Sequence, residues 1–107
     1  MAISFDELRG KGLEFICDST KEGHESIVSS VSISGDYIVS GSYDRTVKLW
    51  SIKEKRIIHT FEGHNGDVSS VSVSGDYIVS GSRDSTVKLW SIKEKRIFNI
   101  KFRIYNK

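Results

Sequence analysis

The chain has no proline, one cysteine, one methionine and three histidines in 107 residues. Without proline, no turn has its φ fixed in advance. The lone Cys17 has no partner for an internal disulfide, which points to a reduced, cytoplasmic setting. His24, His59, His64 and Cys17 show no paired metal-ligand spacing of the C-x2-C kind, and His59 and His64 stand five apart across a strand end. No metal or other cofactor is therefore expected. Long apolar runs are also missing: nothing approaches the roughly 20 residues of a membrane-spanning helix. The first fifteen residues carry Asp6, Glu7, Arg9, Lys11 and Glu14, which break up the apolar core a secretory leader would need. Charge of one sign is scarce too, with 16 lysines and arginines against 14 carboxylates and a net charge of +2. That balance argues against a nucleic-acid partner, which calls for a strongly basic, clustered face. Neither a Walker loop nor a G-x-G-x-x-G stretch occurs, and no helix N-terminus is in prospect to hold a phosphate. At this length the chain is one domain at most, and small in the surface it can bury.

What is present is repetition. SGDYIVSGSYDRTVKLWSIKEKRI at Ser34–Ile57 returns as SGDYIVSGSRDSTVKLWSIKEKRI at Ser74–Ile97, forty residues on. Gly23–Ile57 and Gly63–Ile97 differ at six of thirty-five positions. Such a period marks an architecture of stacked units. Each copy predicts four strands, at about residues 27–34, 37–42, 46–52 and 56–61 in the first, bounded by Gly-Asp and Asp-containing turns. The second copy runs out near Phe102. The chain thus divides into an N-terminal arm over 1–22, repeats over 23–62 and 63–102, and a tail over 103–107. Within the arm, Leu13–Cys17 reads as a decayed outer strand, since a shift of forty sets Ile16–Lys21 against Arg56–Phe61.

Three elements recur in phase: Gly23-His24 and Gly63-His64, Ser40–Asp44 and Ser80–Asp84, and Thr46–Trp50 and Thr86–Trp90. In order and spacing they resemble the WD-repeat (WD40) family of β-propellers. Two departures are visible. The dipeptide that names the family is Trp-Ser here (Trp50-Ser51 and Trp90-Ser91), and Ser-Gly-Asp-Tyr replaces its usual Ser-Pro-Asp-Gly turn. The resemblance implies an all-β fold of two four-stranded antiparallel blades, fewer than the four to eight typical of a propeller. The residues make the same point unaided. On Thr86–Ile92, Val87 and Leu89 face away from Trp90, and on Tyr77–Ser82, Tyr77 and Val79 oppose Ile78. A free-standing antiparallel sheet has one polar face. These units have two apolar faces, so each expects a neighbour on both sides, and Val47, Leu49, Val87 and Leu89 are all expected to be buried.

Each repeat also carries a His, a Ser, an Asp and a Trp: His24, Ser40, Asp44, Trp50, and His64, Ser80, Asp84, Trp90. The first three could be a hydrolase triad. The resemblance implies instead a structural tetrad in which Asp holds His, His meets Ser, and Ser meets the indole N–H; a buried indole N–H and hydroxyl need such partners. Ser42 and Ser82 share a strand face with Ser40 and Ser80, so the serine within each pair is left open. A catalytic serine would also need an oxyanion hole, usually at a strand-to-helix turn, and the pattern offers none. Lys53–Arg56 and Lys93–Arg96 read as solvated hairpin loops.

Five of the six differences (Glu25/Asn65, Ser26/Gly66, Ile27/Asp67, Tyr43/Arg83, Arg45/Ser85) fall in the Gly-His loop and the Asp turn, which share one end of an up-and-down unit. That end reads as a recognition face for a protein or peptide, with Glu25, Tyr43, Arg45, Asn65 and Arg83 as candidate contacts and Tyr43, Arg45 and Arg83 expected to be exposed. The expected function is a non-enzymatic interaction scaffold. Trimers or tetramers of the chain would close a six- or eight-bladed ring. The alternatives are a remnant of a longer propeller without an independent role, and a His/Ser/Asp hydrolase.

Overall fold

The structure, a computed structural model, describes residues 23–98. Eight strands follow one another: β1 Val28–Ser34, β2 Tyr37–Ser42, β3 Thr46–Ser51, β4 Arg56–Glu62, β5 Val68–Ser74, β6 Tyr77–Ser82, β7 Val87–Ser91 and β8 Arg96–Ile97. They form two antiparallel four-stranded sheets, ordered β1-β2-β3-β4 and β5-β6-β7-β8. The strand expected at Leu13–Cys17 and the tail from 103 lie outside the described residues, as does the end of the last strand beyond Phe98.

Local chemistry accounts for the meander. Each strand carries β-branched residues, joined by an aromatic in β2, β3, β4, β6 and β7, and glycine opens each first hairpin, with Gly35 at φ +57° and Gly75 at +56°. Asp36 then ties this turn to the next one. Its Oδ1 accepts the Lys53 N–H at 2.6 Å, its Oδ2 accepts the Ser51 hydroxyl at 2.7 Å, and its carbonyl accepts the Ile52 N–H at 2.8 Å. Asp76 repeats all three contacts in the second sheet. The two invariant loops therefore share one end of each sheet. At the other end Tyr43 N–H donates to the Ile27 carbonyl and Arg83 N–H to that of Asp67, both at 2.9 Å.

The sheets stack face to face. Val39, Val47, Leu49 and Phe61 of the first pack with Val68, Val71, Val73, Ile78, Trp90 and Ile92 of the second in one buried core. Strict alternation would turn Val68 away from Val71 and Val73. A bulge prevents this: Val68 pairs with Ser82 and Ser70 with Gly81, so Ser69 is an extra residue that rephases the strand. All three valines then join the core. The inner strands β1 and β5 lie close enough for serine hydroxyls to reach across. Val71 N–H donates to Ser30 Oγ at 3.2 Å, Val73 N–H donates to Ser32 Oγ at 3.4 Å, and the Ser29 hydroxyl donates to the Val68 carbonyl.

Two expectations need correction. Val47 and Leu49 are fully buried, but Val87 is 41% exposed and Leu89 half-buried. The second sheet covers the first pair, and no described residue covers the second pair to the same extent. Tyr43 is half-buried rather than exposed, because Arg83 of the adjacent sheet lies over its ring.

Gly41 shows how closely the sheets meet. A Cβ there would lie 2.6 Å from Val68 Cγ1 and 2.8 Å from Val71 Cγ1. Gly41→Ala should thus lower the unfolding free energy by about 1–3 kcal/mol through overpacking, although alanine in a strand would otherwise be neutral or favourable. Urea denaturation with tryptophan fluorescence measures the difference.

Candidate functional site

Each sheet carries one polar relay, built from its entry loop, its second strand, the β2–β3 or β6–β7 turn, and its third strand. Asp44 Oδ2 lies 2.9 Å from His24 Nδ1, His24 Nε2 lies 2.7 Å from Ser40 Oγ, and Trp50 Nε1 lies 2.9 Å from the same oxygen. In the second sheet the corresponding distances through Asp84, His64, Ser80 and Trp90 are 3.0, 2.6 and 2.8 Å. The proton positions follow from what each group can do. An indole N–H only donates, so the serine oxygen accepts it. The serine proton then goes to Nε2, leaving Nδ1–H to donate to the carboxylate. Ser42 and Ser82 do other work: Ser42 Oγ accepts the Asp44 N–H at 3.0 Å and donates to the Ser26 carbonyl, and Ser82 does the same toward Asp84 and Gly66.

The aspartate turn is braced from within. Asp44 Oδ1 accepts Thr46 N–H at 2.9 Å and the Thr46 hydroxyl, while Oδ2 also accepts Glu25 N–H at 3.0 Å. Arg45 and Ser85 complete these tight turns at φ +74° and +70°. Burial alone would raise the Asp44 carboxyl. The hydrogen bonds from Thr46, His24 and Glu25 outweigh it and hold the group at about 2. Asp84, whose burial is likewise outweighed by hydrogen bonds from Thr86, Asn65 and His64, also sits below the usual carboxylate range. Burial pushes the His24 imidazole down, which keeps it neutral as the relay requires.

Asp-His-Ser in line has the connectivity of a nucleophilic triad, but its surroundings differ. Both serine hydroxyls are buried and accept an indole N–H, and both imidazoles are enclosed. Trp90 is closed in from the neighbouring sheet by Phe61, whose ring centroid lies 5.3 Å away. Gly63 gives the indole room, since a Cβ there would stand 3.0 Å from Cη2. A cleft of about 390 Å³ opens at the opposite end, lined in part by Tyr37, Ile58, Asp76 and Lys93; no relay residue borders it.

The variable positions gather at the relay end. Arg83 stacks over Tyr43 with its guanidinium carbon 5.6 Å from the ring centroid, a contact that crosses between the sheets. Arg45, Glu25 and Asn65 are exposed at the same end, Glu25 and Asn65 being tied to the aspartates through their backbone amides. Ile27, 65% exposed, belongs with them. Sequence reading leaves it out of the candidate contacts, although an isoleucine where the other copy has Asp67 was the available signal. The Tyr43–Arg83 stack had no such signal, because it joins the two copies of one turn.

Two stacked four-stranded meanders with a buried Asp-His-Ser-Trp relay in each define a pair of β-propeller blades. The chain belongs to the WD-repeat family: the family's sequence model, described as WD domain, G-beta repeat, matches residues 15–51 and 55–91. Among characterised proteins it is similar to a Periodic tryptophan protein 2 homolog of Caenorhabditis elegans, 56% identical over 34 residues, which are 32% of this chain and 4% of that protein. It is also similar to a Ribosome biogenesis protein BOP1 homolog of Drosophila grimshawi, 55% identical over 40 residues, or 36% of this chain and 5% of that one. The chain thus spans about a twentieth of the length of these relatives. Among solved structures, that of U3-55K superposes with a TM-score of 0.70 at 29% identity, covering 76% of this chain and 26% of the other.

His64→Ala or Asp84→Ala should cost about 1–3 kcal/mol of folding stability by stranding buried donors and acceptors, and Trp90→Ala about 3–5 kcal/mol by also leaving a cavity. Chemical denaturation reads both. Acid should act through the first blade in two stages. The unfolded chain protonates His24 below its ordinary 6.5 while the folded imidazole resists, so stability falls as pH drops through that value. Asp44 adds a second loss from its ordinary 3.8 down to about 2, because its stabilisation is present above the unfolded value and disappears as the folded carboxylate is protonated. Thermal melts from pH 8 to pH 2 should show both.

Proposed function

We propose that this chain is a non-enzymatic protein-interaction scaffold that completes a propeller by homo-oligomerisation, three or four copies giving six or eight blades. One observation carries the assembly. The outer face of the second blade exposes Tyr77 by 51%, and Val79 and Val87 by 41% each, whereas on the first blade the second covers Val39 and Val47 fully and leaves Tyr37 half-buried. An apolar face that an identical unit buries a few ångströms away is suited to a further unit of the same kind. The ring would present the relay-end loops together, and Glu25, Tyr43, Arg45, Asn65 and Arg83 would meet the protein or peptide partner. Tyrosine and arginine bring the large, amphipathic contact surface typical of binding hot spots. The relays serve as internal struts in this reading, since their serines are buried and already hydrogen-bonded. The relatives' names concern proteins of which this chain matches only a small part, so the partner is sought by experiment.

Sedimentation velocity at micromolar concentration should show one species at three or four times 12.1 kDa. A strictly monomeric chain would overturn the assembly, and a poorly folded monomer would favour the remnant. For the recognition face, Tyr43→Ala and Arg83→Ala should keep that mass and cost about 0.5–1 kcal/mol of stability through the lost stack, while losing a protein that the wild type retains in affinity capture. Undiminished capture by both variants would remove these residues from the interface.

A further inference from the structure

The contact between the two blades is a template, because one chain contains both sides of it and residues of its β1–β5 seam recur on the outer surfaces, where Val28 is exposed on the first blade and Ser69, Ser70 and Ser72 on the second. On the inner side, Val68 is fully buried against Gly41, where no Cβ would fit. Its counterpart Val28 is 49% exposed. Gly81, the counterpart of Gly41, is the matching empty socket: among the described residues the nearest atom to a Cβ built there is Ser69 Oγ, at 4.0 Å. The serines follow suit. Ser30 and Ser32 accept the N–H groups of Val71 and Val73, whereas Ser69, Ser70 and Ser72 of the second blade are exposed. Every one of these positions carries the same residue in both repeats except Ile33, which stands where the second repeat has Val73.

We infer that the second blade docks a second copy of this chain in one register, with Val28 of the second copy seated on Gly81. Ser70 and Ser72 then accept the backbone N–H groups of Val31 and Ile33 of the second copy, and the Ser69 hydroxyl donates to the carbonyl of its Val28. This deepens the assembly proposed above and rests on it. The surface on the incoming copy is confined to its inner strand, since Ile38 and Trp50 on the same side of that blade are already buried. Inner strands suit the purpose physically. A glycine facing a valine lets two backbones approach, and only at that separation does a serine hydroxyl reach the neighbouring amide. The contact is heterologous, so it repeats head to tail until a ring closes.

The test uses the full chain and four variants. Gly81→Val fills the socket where the single chain has open space, and Val28→Lys charges a residue that is already half in water. Either should leave circular dichroism unchanged in dilute, monomeric samples and raise the dissociation constant measured by sedimentation about tenfold or more. Gly81→Ala combined with Val28→Ala should associate more tightly than Gly81→Ala alone, because shortening the knob relieves the filled socket. If the wild type assembles and both Gly81→Val and Val28→Lys assemble equally well, this register is wrong while the oligomeric scaffold stands. A wild type that never associates removes the scaffold's assembly and this register together. Should Gly81→Val fail to fold, Val28→Lys alone decides: unchanged association overturns the inference, and loss of association supports it.

Discussion

The close approach of strands β1 and β5 is the contact on which the rest of the molecule depends. A propeller blade has two apolar faces and a small area, and a single meander of this size buries too little to hold itself. Placing Val68 and Val71 against Gly41 brings the sheets near enough for Val39, Val47 and Leu49 to lose all contact with water. The same approach lets Ser30 and Ser32 accept amides that the edge strand β5 presents toward its neighbour. Apolar burial and backbone satisfaction are thus achieved by one geometry. The bulge at Ser69 is part of it, because without the extra residue Val68 would point to the wrong side.

The relays solve a different problem, which is how to bury an indole N–H, an imidazole and a hydroxyl in a thin sheet. Each group in the line from aspartate to tryptophan supplies what the next one lacks, and no buried side-chain polar atom among the described residues is left without a partner. The network also fixes the loops it starts from. Because Asp44 and Asp84 bind the backbone of Glu25 and Asn65, the variable positions sit on a rigid base rather than on free loops. Variation at that end can alter the exposed surface without touching the core, which is the usual division of labour between scaffold and loops.

Much of this was written in the sequence. The forty-residue period, the alternation in Tyr77–Ser82 and Thr86–Ile92, and the paired Gly-His and Asp positions determined two four-stranded units with apolar faces on both sides and a His-Ser-Asp-Trp set in each. Local periodicity carries that information because strand geometry repeats every two residues wherever the strand lies. What the tertiary structure decided was what each face meets. Identical segments have different fates: Val47 is buried and Val87 is not, since only the first has a blade packed over it. The choice of Ser40 over Ser42 depended on which hydroxyl lies beside both an imidazole and an indole, and two serines on one strand face look alike until those partners are placed. The stack of Arg83 on Tyr43 joins residues forty apart through the packing of two sheets, and packing across sheets leaves no trace in the spacing of either strand.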